Sequence, residues 1–271
     1  MQNAIYKYLR EKAKNVKFDV KNMINLKDVE FSRNDIRKKI KIPSKLSNDL
    51  AYETGVHAGD GYLGIFQRKD GPAYWVVYSG NLTEEYEYYS KIILPLINKL
   101  YNKKCTIKKC SKNTLRVDLK SKAIATFKHR VIKLPNGPKT GTLRIPNIIK
   151  SANTKIKSSF LSGLVDTDFS LVFVKNGKYP KITTSFPVQN KEFVKDVIKL
   201  FNDIGIKANA NLYNCKDVRY TPTKLYKAYK IDINGKRNLY KWLDVAGFRS
   251  PKHVARLAIW EKFGEYRKRT I

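Results

Sequence analysis

Two stretches of the chain, residues 49–61 (DLAYETGVHAGDG) and residues 157–169 (KSSFLSGLVDTDF), decide how the rest of the sequence is interpreted. They match when Asp60 is aligned with Asp168, an offset of 108 residues. Small residues then coincide at i, i+4, i+8 spacing, which places them in one row along a helix. The rows are Ala51, Gly55 and Gly59 in the first stretch and Ser159, Gly163 and Thr167 in the second.

The small-residue rows predict two helices in close backbone contact. Glycine inside a helix costs about 1 kcal/mol relative to alanine, and close helix packing is the usual compensation. Packing along both rows brings the helix ends together, with Asp60 and Asp168 side by side at a pseudo-twofold axis. Because neighbouring carboxylates repel each other, such a pair is stable mainly when it shares protons or binds metal ions.

The repeat extends beyond the two helices. After each aspartate the pattern predicts a β-hairpin, an amphipathic helix, a second hairpin and a further helix, and Val117–Lys122 resembles Ile231–Lys236. This order indicates an α+β fold of two pseudo-symmetric αββαββα repeats, with antiparallel, saddle-shaped sheets that carry helices on one side. We expect an N-terminal extension (1–44), a first repeat (45–150) and a second repeat with a short basic C-terminal tail (151–271).

The charge of the chain indicates a polyanionic partner. Its 271 residues include 55 Lys and Arg against 23 Asp and Glu, a net charge of +32. The excess is +18 over residues 1–150 and +14 over residues 151–271, so both halves share it. With 42% hydrophobic and 12% aromatic residues the chain is not a disordered basic tail. Binding to nucleic-acid phosphates is therefore favoured.

The remaining composition indicates an intracellular protein. Three cysteines, at positions 105, 110 and 215, and three scattered histidines favour neither a disulfide framework nor a zinc site. The N-terminal sequence lacks the apolar core of a secretory signal, and the longest apolar run is too short to span a membrane. We expect a location in the cytoplasm or nucleoid and no membrane partner.

Polar and basic residues on the predicted ribbons form a candidate DNA-binding surface. A sheet face that helices leave open is either solvated or binds a partner, and a two-stranded ribbon fits the major groove of duplex DNA. The expected DNA contacts are Gln67, Arg68, Lys69, Lys108, Lys109, Arg116, Lys175, Lys178, Lys181, Arg219, Lys227 and Lys230. Stacking of the 17 tyrosines on single-stranded bases is the disfavoured alternative, because most of them fall at core spacing.

On these residues the chain resembles the LAGLIDADG homing endonucleases. The motif copies are Glu53–Gly61 (ETGVHAGDG) and Leu161–Phe169 (LSGLVDTDF), and the resemblance extends over about residues 45–250. It is similar to the monomeric branch with two motifs, of the kind encoded in introns of archaea and organelles. The resemblance implies a monomer that binds a long asymmetric duplex site, the intron insertion site, and cuts both strands to leave 3′ overhangs. Phe169 replaces the last glycine of the motif, so we expect a slightly different turn after Asp168.

The resemblance also assigns a metal site. Asp60 and Asp168 correspond to the metal ligands, helped by the main-chain carbonyl groups of Gly59 and Thr167. These hard oxygen ligands suit Mg²⁺, with Mn²⁺ or Ca²⁺ able to substitute for binding. Bound metal ions would activate water and stabilise the leaving oxygen.

Auxiliary groups follow from the same resemblance. A basic group that stabilises the transition state corresponds to Lys120, and its counterpart in the second half is Asn234. The polar residue that orders water corresponds to Asn81, or to Gly80 beside it, in the first half and to Gln189 in the second.

Two other classes of function stay open. A protein of the same fold could be a non-cleaving RNA maturase that binds its own intron RNA, or a DNA-binding protein that does not cut. The presence of both acids, Asp60 and Asp168, argues against these alternatives. The charge alone also suits a structural protein bound to ribosomal or other RNA, but such a protein has no use for two helices packed through small residues.

Overall fold

The structure, a computed structural model, describes residues 23–110, 113–217 and 221–266. Its helices are α1 (Arg33–Arg37), α2 (Asn48–Asp60), α3 (Leu82–Tyr88), α4 (Leu94–Tyr101), α5 (Lys122–Thr126), α6 (Asn147–Lys150), α7 (Thr154–Asp168), α8 (Lys191–Asp203), α9 (Lys236–Val245) and α10 (Pro251–Phe263). Its strands are β1 (Gly61–Arg68), β2 (Gly71–Asn81), β3 (Ile107–Lys109), β4 (Thr114–Lys120), β5 (Ser170–Val174), β6 (Tyr179–Pro187), β7 (Asn209–Asp217) and β8 (Thr221–Asn234). Two π-helical turns, Tyr89–Ile93 and Phe127–Val131, continue α3 and α5, and a 3₁₀ turn covers Val188–Asn190.

The strands form two antiparallel four-stranded sheets of the same order. The first is β1-β2-β4-β3 and the second is β5-β6-β8-β7. Alternate residues of β4, Leu115, Val117 and Leu119, are fully buried under the helices, while the residues between them face outward. This arrangement confirms the predicted α+β fold and the repeated order of its elements.

The two helices that carry the motif begin and end alike. Ser47 caps α2 and Asn153 caps α7, each by accepting a hydrogen bond from the backbone N–H three residues later. Each helix ends at its aspartate, and the next residue is extended, with φ −82° and ψ 154° at Gly61 and φ −97° and ψ 163° at Phe169. The prediction that the turn after Asp168 differs from the turn after Asp60 is therefore wrong.

Glycine is required after the first motif for space. A Cβ added to Gly61 would lie 2.5 Å from both the imidazole ring and the carbonyl oxygen of His57, which is buried one helical turn earlier. In α7 the residue corresponding to His57 is Val165, so Phe169 fits in the same backbone conformation.

Backbone contact between α2 and α7 depends on two glycines. A Cβ added to Gly55 would overlap the carbonyl oxygen of Phe160, and a Cβ added to Gly163 would overlap that of Tyr52. A helix carbonyl cannot move aside without breaking its own hydrogen bond, so a larger residue has to push the helices apart. The predicted packing of the small-residue rows is thus confirmed.

The two sheets differ in the length of their first hairpin. Tyr62 lies opposite Val77 in the first sheet, and its equivalent Ser170 lies opposite Thr183 in the second. The hairpin of the second sheet is therefore shorter by two residues. As a consequence, the counterpart of a residue on β2 is found on β6 at an offset of 106 residues instead of 108.

One continuous core joins both halves. The buried apolar side chains of the two repeats form a single cluster, to which Ile40 of the N-terminal extension also belongs. The Asp35 carboxylate accepts a hydrogen bond of 3.2 Å from the N–H of Ala123, so the described part of the N-terminal extension packs on the first repeat. Within the ranges that the structure describes, no helix is both long and apolar enough to cross a lipid bilayer.

Candidate active site

The C-terminal ends of α2 and α7 meet and bring Asp60 and Asp168 together. A Cβ added to Gly59 would lie 3.3 Å from the carboxyl carbon of Asp168 and would overlap the hydroxyl of Thr167. Both aspartates are partly exposed, and the residue after each of them leads into the first strand of a sheet. The two predicted acids therefore lie at one place, where both sheets begin.

Burial raises the pKa of both carboxyls. For Asp60, loss of water is the largest cause, the charges of Asp168 and Glu85 add to it, and the pKa reaches about 8. For Asp168, burial raises the pKa to about 6. Lys139 and Lys252 oppose both shifts. At neutral pH the pair therefore carries two negative charges only at a cost, which a further cation would offset.

Glu85 is a third carboxylate of the site, and the sequence analysis did not include it. It lies in the first turn of α3 and is 6% exposed. One of its oxygens accepts from Lys252 Nζ at 2.5 Å, and the other accepts from the N–H of Asn81 at 2.7 Å. Glu85 thus ties α10 of the second repeat to α3 of the first.

Lys139 is the second group that the sequence analysis missed. It lies in the loop between the π-helical turn Phe127–Val131 and α6. Its ammonium donates to the carbonyl oxygens of Ala58, at 2.9 Å, and of Gly59. Burial lowers the pKa of Lys139, while the charges of Asp168 and Asp60 oppose that shift. The ammonium therefore lies at the end of α2, beside the acid pair.

A tyrosine completes the first half of the site. The hydroxyl of Tyr89 lies 3.2 Å from Asp60 Oδ2 and 2.9 Å from the carbonyl oxygen of Ser79, so it can donate to either. Tyr89 begins a π-helical turn, a feature that is common at functional sites.

The strand register places Lys120 and Asn234 away from the starts of β1 and β5, so their expected roles remain predictions. Lys120 ends β4 opposite Trp75, three residues along β2 from the residue that faces the start of β1. The backbone of Lys120 is therefore three residues along the sheet and two strands across it from the first residue of β1. Each of these displacements is about 10 Å. Asn234 occupies the corresponding place in the second sheet. The basic groups beside the aspartates are instead Lys139 and Lys252, which lie on a loop and a helix after each sheet.

The residues expected to order water lie in two different settings. The side-chain oxygen of Asn81 caps α3 by accepting from the N–H groups of Thr83 and Glu84, both at 2.9 Å, and is therefore committed to the helix. Gln189 is exposed in the 3₁₀ turn, and its Cβ lies 3.6 Å from the position of a Cβ added to Gly141. Gln189 is thus next to the loop that carries Lys139.

The oxygen ligands at this site fit a hard divalent cation whose remaining coordination positions are filled by water and substrate. No group of three or more His, Cys, Asp or Glu side chains in the described ranges is placed to hold a metal ion. The anionic oxygens come from Asp60 and Asp168, next to the main-chain carbonyl groups of Gly59 and Thr167 at the helix ends. Carboxylate and carbonyl oxygens are the ligands of Mg²⁺, which usually keeps several waters and binds substrate phosphates.

Outward residues of each sheet form two surfaces, which we call the open faces. The first open face carries Tyr62, Phe66, Arg68, Trp75, Lys108, Arg116, Asp118 and Lys120. The second carries Lys181, Thr183, Ser185, Tyr213, Lys230 and Asp232. Of the expected DNA contacts, Arg68, Lys108, Arg116, Lys181 and Lys230 lie on these faces.

The other expected contacts lie elsewhere. By strand alternation Gln67, Lys109 and Lys227 point to the opposite side of their strands, where all three are exposed. Three lysines, Lys69, Lys175 and Lys178, lie in the turns of the first hairpins, and Arg219 lies outside the described residues.

Weak local signals accompany the missed residues. Lys139 lies in the turn Pro138–Gly141, inside the stretch 101–150 that has one acidic residue, Asp118. Lys252 follows Pro251 at the start of a helix, and Glu85 follows a strand end by four residues. None of these three residues belongs to a repeating sequence pattern, so the sequence alone does not predict that they lie beside the aspartates.

Comparison with solved structures supports the fold. A structure of I-DmoI in complex with DNA and Mn is 20% identical in sequence, covers 75% of this chain and 98% of that chain, and has a TM-score of 0.51. A structure of I-DmoI in complex with DNA and Ca is 19% identical, covers 79% and 98%, and also has a TM-score of 0.51. I-DmoI is described as a homing endonuclease. At these identities the likeness establishes the fold.

Comparison of sequences is less informative. No family model matches the chain. A curated relative, the tRNA-splicing ligase RtcB of Methanopyrus kandleri (strain AV19), is 32% identical over 141 residues, which cover 49% of this chain. The match spans 13% of the length of that relative.

Proposed function

We propose that the protein is a homing endonuclease, a monomer that hydrolyses both strands of a long asymmetric DNA site with Mg²⁺ and leaves 3′ overhangs. The observation that carries the proposal is the pair Asp60 and Asp168, held at the ends of two packed helices where two basic sheets begin. Both acids and both open faces belong to one chain, so a single molecule can address both strands. Its DNA substrate would place it inside the cell, in the cytoplasm or nucleoid.

The fold supports a DNA substrate. I-DmoI, which shares the fold, was solved with DNA in the presence of Mn and of Ca. The open faces here carry an excess of cations, with Arg68, Arg116 and Lys120 on the first and Lys181 and Lys230 on the second. Cations on a sheet face neutralise phosphates and release counterions, which drives binding to duplex DNA.

The chemistry is assigned to the chain's own groups as follows. Asp60 and Asp168 would hold the divalent ions, and these would supply an activated water and stabilise the leaving oxygen. Lys139 and Lys252 offset the negative charge that develops on the phosphate. Glu85 keeps Lys252 close to the acids through its 2.5 Å hydrogen bond. The second repeat thus contributes one acid and one lysine to a site that it shares with the first.

The test uses the two acids and a matched surface acid. Duplexes selected for binding from a randomised library are incubated with Mg²⁺ and with the wild type, Asp60→Asn, Asp168→Asn or Asp244→Asn. We expect cleavage by the wild type and by Asp244→Asn, because Asp244 is exposed on α9, and binding without cleavage by the other two. Cleavage by Asp60→Asn, or loss of binding in either motif variant, would contradict the assignment. Tight binding of structured RNA with no cut in duplex DNA would favour the maturase alternative.

A further inference from the structure

The first open face carries an indole surrounded by cations. The guanidinium carbon of Arg68 lies 4.6 Å from the centroid of the Trp75 ring. The guanidinium carbon of Arg116 lies 5.8 Å from it, and Lys120 Nζ lies 5.5 Å from it. Phe66 packs edge-on against the same ring, with 5.4 Å between centroids. Cations within about 6 Å of an aromatic centroid are attracted by the ring, so Trp75 organises its neighbours.

The strand register explains why these groups converge. Trp75 lies on β2 between Gly64 of β1 and Lys120 of β4. Gly64 has no side chain, so the ring meets the next two outward residues of β1, which are Phe66 and Arg68. Arg68 therefore lies over the Trp75 ring near the end of the ribbon.

Arg68 differs from Arg116 and Lys108 in its free donors. Arg116 Nε donates to Asp118 Oδ1 at 2.5 Å, and Lys108 Nζ donates to Asp118 Oδ2 at 3.0 Å, so both cations are already paired. The guanidinium of Arg68 makes no hydrogen bond to any other described residue, and its carbon lies over the rings of Phe66 and Trp75. A guanidinium held over an aromatic ring keeps its N–H groups available for a further partner.

We propose that Arg68, ordered by Trp75, reads a guanine in the half of the duplex that the first sheet binds. The inference rests on the proposed function, because it requires the open faces to lie in the major groove. A guanidinium presents two parallel donors that match O6 and N7 of guanine, the most common specific contact in that groove. Trp75 acts as a positioning residue, since it restricts the rotamers of a long side chain before DNA binds.

The second sheet does not repeat this arrangement. The counterpart of Trp75 at an offset of 106 residues is Lys181, whose ammonium pairs with Asp232 at 2.7 Å. Nearby, Ser185 and Tyr213 share a hydrogen bond of 2.8 Å. The readout of guanine by a stacked arginine is therefore expected in one half-site only, and the other half-site serves as an internal control.

The experiment compares selected sequences. A randomised duplex library is selected for binding in Ca²⁺ with the wild type, Arg68→Lys, Trp75→Leu and Trp75→Phe. Arg237→Lys, an exposed position on α9, is the matched control for an arginine-to-lysine change. Circular dichroism and thermal unfolding of each variant establish that it is folded.

In the half-site that the first sheet binds, the wild type should prefer guanine at one position. This preference should fall by roughly 5- to 100-fold in Arg68→Lys and Trp75→Leu, and by less in Trp75→Phe. All positions of the other half-site should be unchanged, as should the whole profile of Arg237→Lys. Since Arg68→Lys keeps the charge, total binding to unselected DNA should hardly change. In the wild type, 7-deazaguanine at that position, which lacks the N7 acceptor, should lower the affinity.

The outcomes separate the two proposals. A guanine preference that is the same in Arg68→Lys as in the wild type would overturn the inference and leave the endonuclease proposal intact. A wild-type consensus with no guanine in either half-site would do the same. Failure of the wild type to select any duplex sequence would overturn the proposed function and the inference with it.

Discussion

Asp60 lies among two other carboxylates and two lysines, and this surrounding sets its protonation. Burial and the charges of Asp168 and Glu85 raise its pKa to about 8, while Lys252 and Lys139 limit the rise. Tyr89 adds a hydroxyl at 3.2 Å from Asp60 Oδ2. The protonation of Asp60 therefore depends on the balance between burial with two neighbouring carboxylates and two ammonium groups.

This balance predicts a pH-dependent stability of the metal-free protein. Between the unfolded-state pKa of 3.8 and the folded-state pKa of about 8, folded Asp60 holds a proton that the unfolded chain releases. Stability should therefore fall as the pH rises through this window. Asp60→Asn should remove much of the fall and stabilise the protein at the upper end by about 1–3 kcal/mol.

Urea unfolding in a chelator at both ends of the window measures this effect. Asp244→Asn, at an exposed position, should keep the wild-type pH dependence. An unchanged slope in Asp60→Asn would mean that Asp60 is already ionised in the folded protein.

A second prediction at the residue scale separates Lys139 from Lys120. Lys139→Met should reduce the cleavage rate of bound DNA by about 10²–10³-fold, because it removes a cation from beside the acids. Lys120→Met should leave that rate unchanged and weaken DNA binding, with the slope of log K against log salt reduced by about 1. Single-turnover cleavage in Mg²⁺ and binding titrations in Ca²⁺ at several salt concentrations give both values. The reverse pattern would return the catalytic role to Lys120.

At the scale of elements, the pairing of α2 with α7 brings the acids together. Gly55 and Gly163 allow backbone contact, and a Cβ on either would overlap a carbonyl oxygen of the partner helix. The hairpins that follow the helices differ by two residues, so the open faces are not copies of each other. The helix pair thus sets the position of the acids, and the hairpin lengths set which side chains reach DNA.

The helix contact predicts a large cost for a small change. Gly163→Ala should destabilise the protein by about 2–4 kcal/mol, although alanine is the better helix former, because the added methyl forces the helices apart. Cleavage should fall further than binding, since the two aspartates separate. Thermal unfolding and cleavage assays test this, with Lys155→Ala, exposed on α7, as the control for a change in helix propensity. A Gly163→Ala variant as stable as Lys155→Ala would show that the helices can adjust.

At the scale of the whole molecule, the two repeats share a single core. Phe160 and Tyr52 contact the opposite helix, and the buried apolar residues of both repeats belong to one cluster. Glu85 and Lys252 add an ion pair of 2.5 Å between the repeats. The relative placement of the two open faces is therefore tied to the same contacts that hold the acids.

This shared core predicts one cooperative unfolding transition. In Trp75→Phe the remaining tryptophans, Trp242 and Trp260, are buried in the second repeat, so their fluorescence reports on that repeat alone. Their urea transition should coincide with that of circular dichroism, which reports on both repeats. Two separated midpoints would mean that the repeats unfold independently.

Local periodicity in the sequence was enough to predict the two helices, the repeat, the order of elements and the meeting of Asp60 with Asp168. Rows of small residues and alternating strand residues are short-range patterns that can be read from the sequence. Glycine within a helix is costly, and close packing of two helices offsets that cost. The net charge of +32 likewise indicates a polyanionic partner without any structure.

The companions of the acids depended on tertiary structure. Lys139 lies in a loop, and Lys252 and Glu85 lie at the starts of two helices. No periodic sequence pattern marks these positions. The distance of Lys120 from Asp60 likewise depends on strand register, which pairs Lys120 with Trp75. Register also makes Lys181 the counterpart of Trp75, since two residues fewer in a hairpin change every pairing after it. Contacts between segments distant in sequence depend on how the strands pair and the helices pack, and local sequence patterns do not encode them.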